Sequence, residues 1–189
     1  PTLRAHGNAV IRYTETTVDM LAPDNVLLSV KVAITVFNKN GDRYGRLPLF
    51  YDKNTSIRNA KGEIYDEFGR AIQKFSLSDL KDESAVNDFS LYEDSRVKYF
   101  IPVIHHYPYT IVYQYQVRNR QNLIIPHWRP IPGFEVALEK ASYKFICKPD
   151  QELRIHALNY NGQPEEKETV KQKTLEWTLT NVPAIRYEP

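Results

Sequence analysis

The sequence predicts an all-β fold of the sandwich type, and three observations carry that expectation. Apolar and polar residues alternate with a period of two over several stretches, as strands with one buried face do. Clusters of Pro, Gly, Asn and Asp separate these stretches at turn-like positions. Long amphipathic helical patterns do not occur between them. The expected architecture is a two-sheet antiparallel β-sandwich with at most short helical turns, as a single domain over residues 1–189.

The clearest strand covers 26–36. One face reads Val26, Leu28, Val30, Val32, Ile34 and Val36; the other reads Leu27, Ser29, Lys31, Ala33 and Thr35. Turns at 23–25 and 38–42 bound it. A hairpin is expected next, with 56–60 leading through Lys61-Gly62 into 63–65. A turn at Asp66-Glu67-Phe68-Gly69 then opens onto a strand over 70–77. Segment 78–85 is polar and acidic and reads as one or two helical turns or a loop.

The most aromatic stretch is 97–117. There Tyr109, Ile111, Tyr113, Tyr115 and Val117 share one strand face, opposite Thr110, Val112, Gln114, Gln116 and Arg118. Prolines at 102, 108, 126, 130 and 132 mark edges, bulges or connections. Over 134–147 the apolar phase changes, from Phe134, Val136 and Leu138 to Tyr143, Phe145 and Cys147. A β-bulge near Lys140 would reconcile the two. Leu153, Ile155 and Ala157 read as a strand, the charged stretch 161–173 as a solvated loop, and Leu175, Trp177 and Leu179 as the last strand.

Composition excludes several classes of function. Lys plus Arg is 25 and Asp plus Glu is 23, a formal net charge of +2, too balanced to announce nucleic acid or a membrane surface. The apolar runs are far shorter than a transmembrane helix requires. Residues 1–7 lack the apolar core of a signal peptide, although a mature exported chain would read the same. Cys147 is the single cysteine, so no intramolecular disulfide can form.

No constellation of residues announces catalysis. His105 and His106 are neighbours, which a strand would point to opposite faces. His6, His127 and His156 have no second ligand at a recognised spacing. Cys147 follows Phe145 and Ile146 and reads as an inert core residue rather than a nucleophile. Neither a Gly-x-Ser-x-Gly elbow nor a glycine-rich phosphate loop is present. The carboxylates Asp79, Asp82, Glu83, Asp88, Glu93 and Asp94 could supply an acid–base pair, but their polar setting reads as a solvated face. Tyr109, Tyr113 and Tyr115 read as core residues whose hydroxyls reach the rim, rather than as a stacking platform.

The stretches Ala9-Val10-Ile11-Arg12, Val36-Phe37-Asn38-Lys39-Asn40-Gly41, the segments 62–72 and 90–99, Tyr107-Pro108-Tyr109-Thr110-Ile111-Val112-Tyr113-Gln114-Tyr115, and Trp177-Thr178-Leu179-Thr180-Asn181-Val182-Pro183-Ala184-Ile185 with Glu188-Pro189 follow one another in a definite order and spacing. Together they resemble a bacterial domain family of unknown function that sits just N-terminal to transglutaminase-like domains in exported multidomain proteins. The resemblance implies an immunoglobulin-like sandwich and an exported, periplasmic or cell-surface setting. It also implies an N-terminal module whose partner is the downstream transglutaminase-like domain of the same chain.

The resulting expectation is a non-enzymatic accessory domain, without cofactor or metal, that orients a downstream transglutaminase- or protease-like module. The alternative is a carbohydrate- or peptide-binding module using an aromatic surface; a stand-alone glycosidase ranks last. The candidate interaction surface comprises Tyr107, Tyr109, Trp128, Val182, Ile185 and Tyr187.

Overall fold

A computed structural model describes residues 3, 5–85, 95–121, 125 and 127–186. Its eleven strands are β1 (Ala9–Ala22), β2 (Asn25–Val36), β3 (Leu47–Tyr51), β4 (Thr55–Tyr65), β5 (Ala71–Ser76), β6 (Lys81–Ser84), β7 (Arg96–Phe100), β8 (Tyr109–Asn119), β9 (Val136–Cys147), β10 (Glu165–Glu168) and β11 (Lys173–Val182). Eight form one sheet in the order β10-β11-β9-β1-β2-β8-β4-β5, and three form a second in the order β3-β7-β6. The expected all-β sandwich is present, but its division is unequal. One pair, β1 with β9, runs parallel within an otherwise antiparallel arrangement.

The alternation in β2 is realised as read. Val30, Val32, Ile34 and Val36 are buried in the main core and Val26 in a second, and Leu28 packs against both. Burying a side chain of this size contributes about 1.5–3 kcal/mol. The small sheet covers one half of the large one, with Leu47 and Leu49 from β3 and Phe100 from β7 in the main core. The Phe75 and Phe100 rings stack between the sheets at 3.9 Å. The other half holds a second core of Val18, Met20, Val26, Tyr143, Phe145, Cys147, Leu175 and Trp177, covered by Ile125, Trp128, Leu153 and Tyr160.

An irregularity crosses the large sheet and changes which parity faces the core. The register of β1 on β2 shifts between Ile11 and Tyr13. β9 keeps a constant offset against β1, so its buried set passes from Val136 and Leu138 to Ala141, Tyr143 and Phe145 at the same level. Asn181 of the neighbouring β11 has a positive φ of 55° there. The phase change expected near Lys140 is therefore real, while the recorded shift in register lies between β1 and β2.

Other local expectations are corrected. Residues 55–65 form one continuous strand, not a hairpin turning at Gly62. A Cβ on Gly62 would lie 2.3 Å from Cζ of Phe75, its cross-strand partner, so the glycine leaves room for a ring. The turn at 66–69 is present: Asp66 Oδ1 accepts from the Phe68 and Arg70 amides, and Gly69 has φ 78°. The helical candidate at 78–85 is a 3-10 turn, Leu77–Asp79, followed by β6. Segment 151–157 is not a strand, and Ile155 is 55% exposed. The paired strand is β10, within the segment read as a loop.

Candidate interaction surface

The 3-10 turn Lys39–Gly45 brings the first part of the candidate surface together. Asn38 begins it, its side-chain oxygen accepting from the Asn40 amide at 3.0 Å. Asp42 then receives two tyrosine hydroxyls: Tyr107 donates to Oδ2 at 2.7 Å and Tyr109 to Oδ1 at 3.3 Å. Their rings lie 5.8 Å apart. Burial, with the Asp42 bond second, pushes the Tyr107 hydroxyl up to about 12. Burial raises Tyr109 further, and the charge of Asp42 adds to it. Tyr109 is 2% exposed, so it belongs to the core and not to a surface offered to a partner.

A few residues along the same turn, the chain is tied to the β9 entry. Tyr44 donates its hydroxyl to the Phe134 carbonyl, which also accepts from Arg43 Nη2 at 3.3 Å. Glu135, at φ 61°, donates its amide to the Ile185 carbonyl at 2.7 Å, and its own carbonyl accepts from the Asn8 amide at 2.7 Å. Ile185 is thus anchored through its backbone while its side chain is 58% exposed. Val182 ends β11 opposite Leu138 and packs on the main core. Tyr187 lies outside the described residues.

Trp128 packs against both cores. It lies 5.9 Å from Tyr143 and edge-on to Tyr160 at 5.8 Å. Its Nε1 is buried with no hydrogen-bond partner among the described residues. The candidate residues therefore do not form one aromatic platform. Tyr107, Tyr109 and Val182 pack in or on the main core and Ile185 is held at the β9 entry, whereas Trp128 touches both cores and makes its ring contacts with Tyr143 and Tyr160 on the second. The residues that join the first group, Asp42, Tyr44 and Glu135, were missed by sequence reasoning, because each meets its partner across a long separation.

The other chemical candidates have structural roles where they are described. Asp79 accepts from the Ser76 amide at 2.7 Å. Asp82 accepts from Lys98 at 2.6 Å and from Tyr51 at 2.7 Å, and pairs with Arg96 at 2.9 Å. Those bonds, Lys98 first, hold the Asp82 carboxyl down at about 2, the opposite of what a general acid needs. Glu83 accepts from the Tyr99 hydroxyl. Asp88, Glu93 and Asp94 lie outside the described residues. Cys147 is fully buried, and burial is the main cause raising its thiol above its ordinary value. Among the described residues, no three His, Cys, Asp or Glu side chains are grouped to hold a metal ion, and no helix is long and apolar enough to cross a membrane.

Fold and polar contacts together define a class: an all-β sandwich domain in which most of the candidate polar side chains tie its own strands and turns together. The chain belongs to the family DUF3857, a domain of unknown function, whose profile matches residues 26–186. Among solved structures, it resembles a candidate protease from Parabacteroides distasonis at a TM-score of 0.77 and 13% identity, covering 96% of this chain and 37% of that one. A looser likeness, at a TM-score of 0.42 and 10% identity, is to an M1 zinc metallopeptidase from Deinococcus radiodurans, over 90% of this chain and 39% of that one. The chain therefore spans well under half the length of these structures. A comparison with curated protein sequences gives no match.

Proposed function

We propose that this is a non-catalytic accessory domain of an exported protein, and that it orients a downstream transglutaminase- or protease-like module. The observation that carries this reading is the match to the candidate protease, which covers 96% of this chain but 37% of the other. A fold of this size recurs there as one part of a longer chain. The family resemblance supplies the transglutaminase-like neighbour and the periplasmic or cell-surface setting. The backbone tie from Glu135 to Ile185 adds a physical route, because it holds the segment after β11 against the domain rather than leaving it as a tether.

The test uses a longer protein that carries both modules. Inserting a flexible Gly-Ser stretch after residue 186 should leave each module folded and lower the activity of the downstream one. Deleting the domain should lower it at least as much. Unchanged activity in both variants would overturn the orienting role.

A further inference from the structure

The outer face of the large sheet carries an open hollow of about 480 Å³. It lies at the turn end of the β1–β2 hairpin. Pairing places Asp19 opposite Leu27, and Leu27 opposite Arg118, so these three form one row across β1, β2 and β8. All three line the hollow, as does Gln116. Arg58 enters from β4 at the register shift between Ile57 and Asn59, where the irregularity re-aims a side chain that a regular strand would direct elsewhere.

Neither Arg58 nor Arg118 forms an ion pair among the described residues. The Nε of Arg118 is buried and has no hydrogen-bond acceptor among the described residues. A buried guanidinium donor without an acceptor is unusual in a native fold. Gln116 is already committed, donating to Ser29 Oγ at 3.1 Å and accepting from Asn59 Nδ2 at 2.8 Å, so it forms a fixed wall. Two cationic forks beside the apolar side chain of Leu27 match an anion with an apolar body. Asp19 decides the charge of that anion. A fixed carboxylate in the same row repels a dianion about twice as strongly as a monoanion.

We propose that this hollow binds a monoanionic organic carboxylate, whose oxygens are taken by Arg58 and Arg118 while its apolar part rests against Leu27. The carboxylate could belong to a free acid or to a peptide, either at its C-terminus or on a side chain. The chemistry is the same in each case, and nothing in the hollow implies turnover.

The experiment is an amide and guanidinium NMR titration of the 189-residue chain with N-acetyl-leucine, N-acetyl-leucinamide, inorganic phosphate, and a C-terminally amidated peptide containing one glutamate. Saturable shifts at Leu27, Arg58 and Arg118 with N-acetyl-leucine or the glutamate peptide, and none with the amide, support the site. The tighter of the two carboxylates identifies the source. Arg58→Gln alters an exposed residue and should weaken binding about tenfold, as loss of a charge-assisted bond does. Arg118→Lys should weaken it similarly, and Asp19→Asn should narrow the preference over phosphate. The proposal is overturned if neither carboxylate shifts these residues, if phosphate binds more tightly than both, or if Arg58→Gln binds unchanged.

Discussion

Asp42 receives two buried or half-buried hydroxyls, so its loss should cost more than an exposed aspartate normally would. Asp42→Ala would leave Tyr109 as a buried donor without an acceptor, and we expect a loss of about 1–3 kcal/mol by urea denaturation. Asp42→Asn, which keeps an acceptor oxygen, should cost less. Gly62→Ala should also destabilise, by about 1–3 kcal/mol, because its Cβ and the Phe75 ring cannot share the space. Native Cys147 should resist a thiol reagent until denaturant is added, and Cys147→Ser should cost about 1–3 kcal/mol for burying a hydroxyl with poor partners. The burial of Cys147 was legible in sequence, since strand parity places it with Tyr143 and Phe145. The role of Asp42 was not legible: its partners lie 65 and 67 residues away, and no local pattern encodes them.

The small sheet should be the acid-sensitive element. Asp82 of β6 is shared by Tyr51 of β3 and by Arg96 and Lys98 of β7, so one carboxylate crosslinks all three strands. Its native value is held near 2, below the ordinary 3.8. The unfolded chain therefore takes up this proton first. The stabilisation is fully present above about pH 4 and is lost as pH falls through about 2. The group is solvent-accessible, which makes the effect modest. Amide exchange in β6 and β7 should rise over that window, and Asp82→Asn should flatten the dependence. The same element explains a limit of sequence reading. All four residues of β6 are exposed, as are all four of β10, so neither strand has an apolar face to betray it. Charge on an edge strand prevents aggregation and hides the strand from pattern analysis. Leu153 and Ile155 mislead in the opposite direction, since they alternate like a strand but lie in the covering segment of the second core.

At the scale of the molecule, one sheet spans two cores, and only one of them lies beneath the second sheet. The core around Phe145 and Trp177 is closed instead by Ile125, Trp128, Leu153 and Tyr160, which lie outside the strands. We expect native-state hydrogen exchange to divide accordingly, with β2 and β8 slowest and β10 and β11 opening at lower free energy. The main core was readable because β2 and β8 alternate without interruption. The strand side of the second core, Tyr143, Phe145, Cys147, Leu175 and Trp177, was readable by the same parity, but what closes it was not, because a covering loop has no period.

Residues 6–8 and 184–186 emerge at the same end of the large sheet. Arg186 Nη2 lies beside the His6 ring, and Glu135 bridges Asn8 and Ile185. β1 runs parallel to β9, and β11 runs antiparallel to it, so tension applied between these two points would not shear the strands lengthwise. It would part Arg186 from His6 and break the Glu135–Ile185 link first, and then peel β11 from β9 one rung at a time, beginning at Val182–Leu138. A ladder loaded rung by rung yields at a far lower force than one whose rungs share the load. Stretched between these points, the domain is therefore a compliant link, and optical-trap extension between residues 6 and 186 should show low-force, stepwise lengthening before the main core gives way.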